Sequence, residues 1–360
     1  MFKRKQLKFK TYEGYIRYKY LVIIFLIALC VFFSLLSISW GSSNLSISEV
    51  AKTLVGQGDK RSESIVFKIR LPRVVTAIVA GGILAMSGCV MQSVLRNPLA
   101  SDSTLGISHG ASFGAAVAII AFGAGVQGTV TSANAISVKN PSLVVLCAFM
   151  GGIFSTLIIL GLSRFKRLGP ESVILAGVAL SSMFIGGTTL IQYFADDVQV
   201  AAVVFWTFGD LGRTNWTEIK IMSTVGAIAF IYFMYNRWNY NVMESGVSTA
   251  KSLGVNTTRV MITSMTVASL ATSVVVSFVG IISFVGLIAP HMLRKFVGND
   301  YRFLLPASAL SGTIILLLSD LFARYIVAPV ILPIGAITSF LGAPMFLYIL
   351  FKGVAKRWLM

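Results

Sequence analysis

The apolar runs of this chain approach 20 residues each, and that length leaves few folds open. Hydrocarbon offers the backbone no hydrogen-bond partner, so a spanning segment must bond its own amides, as a helix does. About 20 residues of helix cross the hydrocarbon, whereas barrel strands alternate over about 10. Of 360 residues, 56% are hydrophobic and 12% charged, which makes the chain a polytopic α-helical membrane protein. Ten runs read as spans: 21–40, 74–94, 105–122, 142–162, 172–194, 216–235, 260–279, 281–296, 304–323 and 334–351. Gly and Pro recur inside them, so some of these helices are expected to be broken or kinked. Spans two to five and seven to ten have the order of an inverted repeat.

The net charge of +17 is not a nucleic-acid footprint. With both termini inside a cell membrane, about two thirds of the 30 Lys and Arg fall on the inner side, which is the positive-inside pattern. The first outer segment runs against it, with Lys52, Lys60, Arg61, Lys68, Arg70 and Arg73. Leu45, Ile47, Val50 and Leu54 suggest a short surface helix there. Tyr15, Tyr18 and Tyr20 suit the headgroup level, as do Trp206 and Trp216 beside the 196–214 outer segment. The cysteines Cys30, Cys89 and Cys147 lie far apart in apolar runs and read as small buried hydrophobes.

The most clearly polar interior segment is 239–259. Six spans precede it, so it shares the side of the N-terminus. Met243, Val247, Ala250 and Leu253 recur at roughly helical spacing, Gly246 and Gly254 punctuate the segment, and Thr257 and Thr258 are candidate caps for the next helix. It reads as one or two short amphipathic helices on the inner surface, able to dock a soluble partner. The other reading of the segment alone is an ordinary loop.

No G-x-x-x-x-G-K-[ST] run occurs, so the chain has no phosphate-binding loop of its own. His109 and His291 lack a H-E-x-x-H setting, and no metal site is expected. Of 13 acidic residues only Glu218 and Asp320 fall within spans, both near the outer end. A proton-coupled carrier keeps an ionisable relay at depth, so a self-sufficient secondary transporter is disfavoured. Asp320 and Arg324, one helical turn apart, can form an ion pair within their own helix. What remains is a passage without a motor.

At this point the residues resemble a known family. Arg70-Leu71-Pro72-Arg73, Gly81-Gly82, Gly88, Gln92, Asn97-Pro98-Leu99-Ala100, Leu105-Gly106 and Gly110-Ala111 look like the first half of the iron-siderophore/vitamin B12 ABC importer permeases. Leu253-Gly254-Val255, Phe284-Val285-Gly286-Leu287-Ile288-Ala289-Pro290-His291 with Arg294, Leu332-Pro333-Ile334-Gly335 and Gly342-Ala343-Pro344 match the second half. Asp102 departs from the pattern, which has proline there.

The resemblance implies a single transmembrane permease domain over 21–355, between a basic tail at 1–20 and a short C-terminus at 356–360. It implies ten spans and a cytoplasmic coupling helix pair within 239–259. A second permease subunit, identical or paralogous, two ATPase subunits binding ATP and magnesium, and an extracytoplasmic binding protein would complete the machine. The chain itself would be no enzyme and hold no cofactor. Its cargo would be a metal chelate, most commonly ferric siderophore, with haem or cobalamin as alternatives.

By the same resemblance Glu244, Ala250, Leu253, Gly254 and Val255 couple to the ATPase, and Arg70, Arg73 and Arg324 dock the binding protein. Span five would line the path with Ser181, Ser182, Thr188, Thr189 and Gln192. From spacing alone these hydroxyls equally suit helix–helix hydrogen bonds. Gly106, Gly110 and Gly114 form a small-residue face for close helix contact.

Overall fold

The computed structural model describes residues 11–40, 45–124, 140–166, 170–327 and 330–357. The basic residues before position 11, Arg167 and most of the 123–141 outer loop lie outside them. Every regular element among the described residues is helical. In chain order they are α1 (Tyr12–Ser39), α2 (Ile47–Leu54), α3 (Lys60–Ile65), α4 (Leu71–Val94), α5 (Ile107–Ala116), α6 (Pro141–Lys166), α7 (Pro170–Tyr193) and α8 (Asp197–Thr207). There follow α9 (Trp216–Tyr235), α10 (Arg237–Glu244), α11 (Val247–Ser252), α12 (Thr257–Val279), α13 (Val285–Val297), α14 (Tyr301–Tyr325) and α15 (Ile334–Arg357). Wider π-type turns join α3 to α4 (Val66–Arg70) and extend α5 (Val117–Ala121).

Among the described residues, seven helices are long and apolar enough to cross a membrane, and three shorter apolar helices have 10–17 residues. Two expected spans, 105–122 and 281–296, contain short helices entered from irregular backbone. Gly106 (φ 73°) precedes α5 and Phe284 (φ 67°) precedes α13. A left-handed residue after a long helix thus opens each short helix. α8 falls in what the sequence suggests is plain outer loop, and it buries Trp206, so that residue is no interface anchor. Asn256, rather than Thr257 or Thr258, caps α12 by accepting from the Arg259 amide at 3.0 Å.

α4 is the axis. It packs against α14, α12, α13 and α9, and 78% of its most apolar stretch is buried. Lipid tails are as apolar as leucine, so burial alone does not drive helices together in a membrane; close packing of small residues does. A Cβ at Gly81 would meet the Gly312 carbonyl oxygen at 2.5 Å, so α4 and α14 touch backbone to backbone. α5, α6 and α7 form a second layer, joined to the first through α12. α1 runs along α14 with only 17% of its apolar stretch buried, and its open face carries Leu21, Ile24, Phe25 and Phe32, suited to hydrocarbon.

Candidate functional site

The bundle has two chemically distinct ends. At one, the end of α1, the starts of α4 and α9 and the end of α14 converge. Asp320 is 0% exposed and lies between two guanidiniums. Arg73 Nε donates to its Oδ1 at 2.6 Å, and Arg324 Nη2 sits 2.7 Å from its Oδ2. Arg73 Nη2 is also 3.4 Å from Asp210. Arg324 Nη1 donates to the carbonyls of Ser37 and Trp40 at 3.3 and 3.1 Å. Arg70 Nη1 donates to those of Ile38 and Ser39 at 2.8 and 2.9 Å.

The last carbonyls of a helix have no donor within it and carry its negative dipole end. Two arginines therefore close α1. Arg70, Arg73 and Arg324, the expected docking residues, are 3%, 7% and 9% exposed. Apart from the Asp320–Arg324 pair one helical turn apart, their partners lie 31 to 287 positions away in sequence, where no spacing signal could reveal them. Among the described residues, the cations left open to solvent at this end include Lys52, Lys60, Arg61, Lys68, Arg213 and Lys220.

The opposite end gathers the start of α1, the ends of α4 and α13, the start of α14 and the pair α10–α11. Lys19 lies 3.8 Å from Asp300, which accepts from Asn241 Nδ2 at 3.3 Å, so the start of α1 and α10 share this end. Burial works against the Asp300 charge, but hydrogen bonds from Arg302 hold its carboxyl below the usual range. Tyr301 is fully buried, and its hydroxyl donates to Glu244 Oε1 at 2.9 Å. Asn241 Oδ1 accepts from the Tyr301 amide at 2.8 Å, and Tyr240 bonds Ser264 at 2.9 Å. These contacts fasten α10 to α14 and α12.

α11 stops at Gly254 (φ 81°), where the Gly254 and Val255 amides donate to Lys251 and Ala250. That closure satisfies the last carbonyls and needs the left-handed glycine. Ala250 is fully buried and packs α11 inward. Leu253 is 65% exposed at the tip, and Val255 is half-buried.

Between the ends, α5 and α7 meet around the irregular turn at 95–106. Gly106 serves this turn, while Gly110 packs on Gly151 and Gly114 on Cys147 of α6. Ser155 Oγ donates to Leu105 O at 3.0 Å, and Ser181 Oγ to Ser103 O at 3.3 Å and Gly177 O at 2.9 Å. Ser181 thus bonds the turn to α7. Thr188 and Thr189 donate to the carbonyls one turn back. Ser182 and Thr189 lie on an uncovered face of α7, and Gln192 is half-buried.

Asp102, where the resembling family has proline, is buried and accepts from Ser108 Oγ at 2.6 Å. Burial pushes its carboxyl up, against the Ser108 bond. A raised folded-state value favours the protonated form, so its contribution is present below the ordinary carboxylate range and lost as pH rises through the raised value. Thermal unfolding of Asp102→Asn against wild type between pH 4 and about 8 should show the variant lacking that loss. Equal slopes would refute it.

A bundle of spanning-length helices with a fastened helix pair at one end and a buried arginine cluster at the other is a polytopic membrane protein. The chain belongs to the FecCD transport family, whose model matches residues 28–352. It is 52% identical over 343 residues to a Methanocaldococcus jannaschii protein named as an ABC transporter permease, covering 95% of this chain and 97% of that one. It is 36% identical over 333 residues to the Fe(3+)-citrate import system permease protein YfmE of Bacillus subtilis (92% and 94% covered). Identity to the hemin transport system permease protein HmuU of Yersinia pestis is 32% over 342 residues (94% and 97% covered). A solved inward-facing metal-chelate type ABC transporter superposes with a TM-score of 0.77 at 26% identity, covering 93% of this chain and 99% of that one.

Proposed function

We propose that the chain is the membrane-spanning permease subunit of an ATP-binding-cassette importer that carries a ferric siderophore from an extracytoplasmic binding protein into the cytoplasm. The observation that carries this reading is Leu253, an exposed apolar tip on a helix pair fastened to α12 and α14. An apolar side chain held out on a braced polar hairpin is what a soluble partner can grip and push. α10 and α11 act as the coupling pair, with Glu244, Gly254 and Val255 fixing its shape. Two ATPase subunits supply ATP hydrolysis there. The termini lie in the cytoplasm and the chain has ten spans, the seven long helices together with α5, the 13-residue α13 and α15.

A second permease copy or paralogue covers the open face of α7, so that Ser182, Thr189 and Gln192 border the path. The arginine end receives the binding protein. There Arg70, Arg73 and Arg324 hold the surface in shape from beneath, and the open cations beside them give it charge. Haem is the second cargo reading, supported by the 32% identity to the hemin permease.

Affinity purification of the tagged protein in mild detergent, with Leu253→Asp beside wild type, tests the reading. An ATPase subunit should accompany wild type and fall by roughly tenfold or more with the carboxylate in the contact. If none accompanies wild type, the reading fails; uptake into proteoliposomes lacking any ATPase would establish a secondary transporter instead.

A further inference from the structure

Gln92 and Arg294 belong to the motifs above, yet neither touches the arginine cluster or the exposed tip. Pro290 lies inside α13 and has no N–H, so the Gly286 carbonyl four residues earlier loses its helical donor. Gln92 of α4, 3% exposed, fills that gap: its Nε2 is 3.3 Å from Gly286 O and 3.3 Å from Leu287 O. The same amide turns its oxygen to Arg294 Nη1 at 2.7 Å, in the last turn of α13. One side chain of α4 thus holds both ends of a helix that its own proline has weakened.

The network continues in both directions. Arg294 lies within electrostatic reach of Tyr301 and Glu244, the pair that fastens α10. At the other end of α13, a Cβ at Gly342 would fall 2.5 Å from the Cβ of Phe284, so α15 rests directly on the start of α13. Arg294 Nε is buried with no hydrogen-bond partner among the described residues. A partly satisfied buried network is costly as it stands. It is therefore suited to a second arrangement in which that donor is paired.

We infer that Gln92 and Arg294 are positioning residues of a relay: displacement of α10 is passed through Arg294 and the Gln92 amide to α13, and from Phe284 to α15. The inference rests on the coupling role proposed for α10–α11. The relay explains why an amide and a guanidinium stand at these two positions. Leucine at 92 would leave the Gly286 carbonyl without a donor and Arg294 without its acceptor, and methionine at 294 would keep the stem but lose the charge.

The test uses the permease co-purified with its ATPase and reconstituted in proteoliposomes, wild type beside Gln92→Leu, Arg294→Met and Arg294→Lys, with ferric hydroxamate and haemin as probes of uptake. Expected is an assembled complex whose ATP hydrolysis stays near wild type. Uptake per ATP hydrolysed should fall roughly tenfold in Gln92→Leu and Arg294→Met and recover in part in Arg294→Lys. A structural role alone would lower yield, hydrolysis and uptake together at constant ratio, and that result overturns the relay, as does an unchanged ratio in all variants. Wild type without an accompanying ATPase removes the coupling reading, and the relay falls with it.

Discussion

Asp320→Ala is expected to destabilise the protein by about 3–5 kcal/mol, the usual loss when one partner is taken from a buried ion pair. Asp320 is completely buried and receives both Arg73 and Arg324, so its removal leaves two buried guanidiniums facing each other without an anion. Asp210 offers Arg73 only a half-exposed carboxylate at 3.4 Å, and Arg324 keeps only neutral acceptors: the Ser37 and Trp40 carbonyls, the Ser37 hydroxyl and the backbone carbonyl of residue 320. Thermal unfolding in detergent, followed by size-exclusion fluorescence, should show the loss. The triple variant Arg73→Met, Arg324→Met, Asp320→Ala should recover much of it, because an apolar replacement of a whole buried charge cluster is often neutral or better. If Asp320→Ala melts with wild type, the cluster has no bracing role.

The second large effect lies at Gly88. A Cβ there would fall on the Gly286 carbonyl oxygen, with Gly286 Cα 2.7 Å away. The obstacle is backbone, which cannot rotate aside, so α4 and α13 must separate. Gly88→Val should therefore exceed the about 1–3 kcal/mol typical of overpacking, and Gly88→Ala should fall within that range. Gly82, six residues earlier on the same helix, meets nothing nearer than 3.8 Å. Gly82→Ala should be neutral or slightly stabilising, since alanine favours helix by roughly 1 kcal/mol over glycine. Equal melting of Gly88→Ala and Gly82→Ala would contradict the backbone contact. The pair separates packing from propensity because both changes add the same methyl to the same helix.

The long helices were legible because twenty apolar residues admit little else, and α1, α4, α6, α7, α9, α12 and α14 all fall on expected spans. α5 and α13 were legible as apolar but not as short. Composition cannot say where backbone leaves the helix when carbonyls are satisfied from elsewhere, as Ser155 and Ser181 do beneath Gly106. The helical spacing of Met243, Val247, Ala250 and Leu253 marked an amphipathic element, but not which side chains its body would take: Met243 and Ala250 are buried and Leu253 is exposed. The motif marks the three arginines, and spacing says nothing of where they point. Charge argues for water, and only the fold brings Asp320 and the open carbonyls of α1 within reach. The pair Asp320–Arg324, four residues apart, was the one part of that cluster that spacing could reveal.

The hydroxyls under the 95–106 turn bear on how the chain is made. Leu105 and Ser103 carbonyls take their donors from Ser155 and Ser181, residues synthesised later on α6 and α7. Until those helices emerge, the turn and the short α5 have no dry place to go, because unsatisfied carbonyls cost several kcal/mol each in hydrocarbon. α5 must therefore wait at the translocon, or at the water interface, and enter the bilayer together with α6 and α7. Biosynthesis of this half is then a cooperative insertion of three segments, and a ribosome stalled before position 181 would hold a nascent chain whose third apolar segment has not yet committed to the membrane.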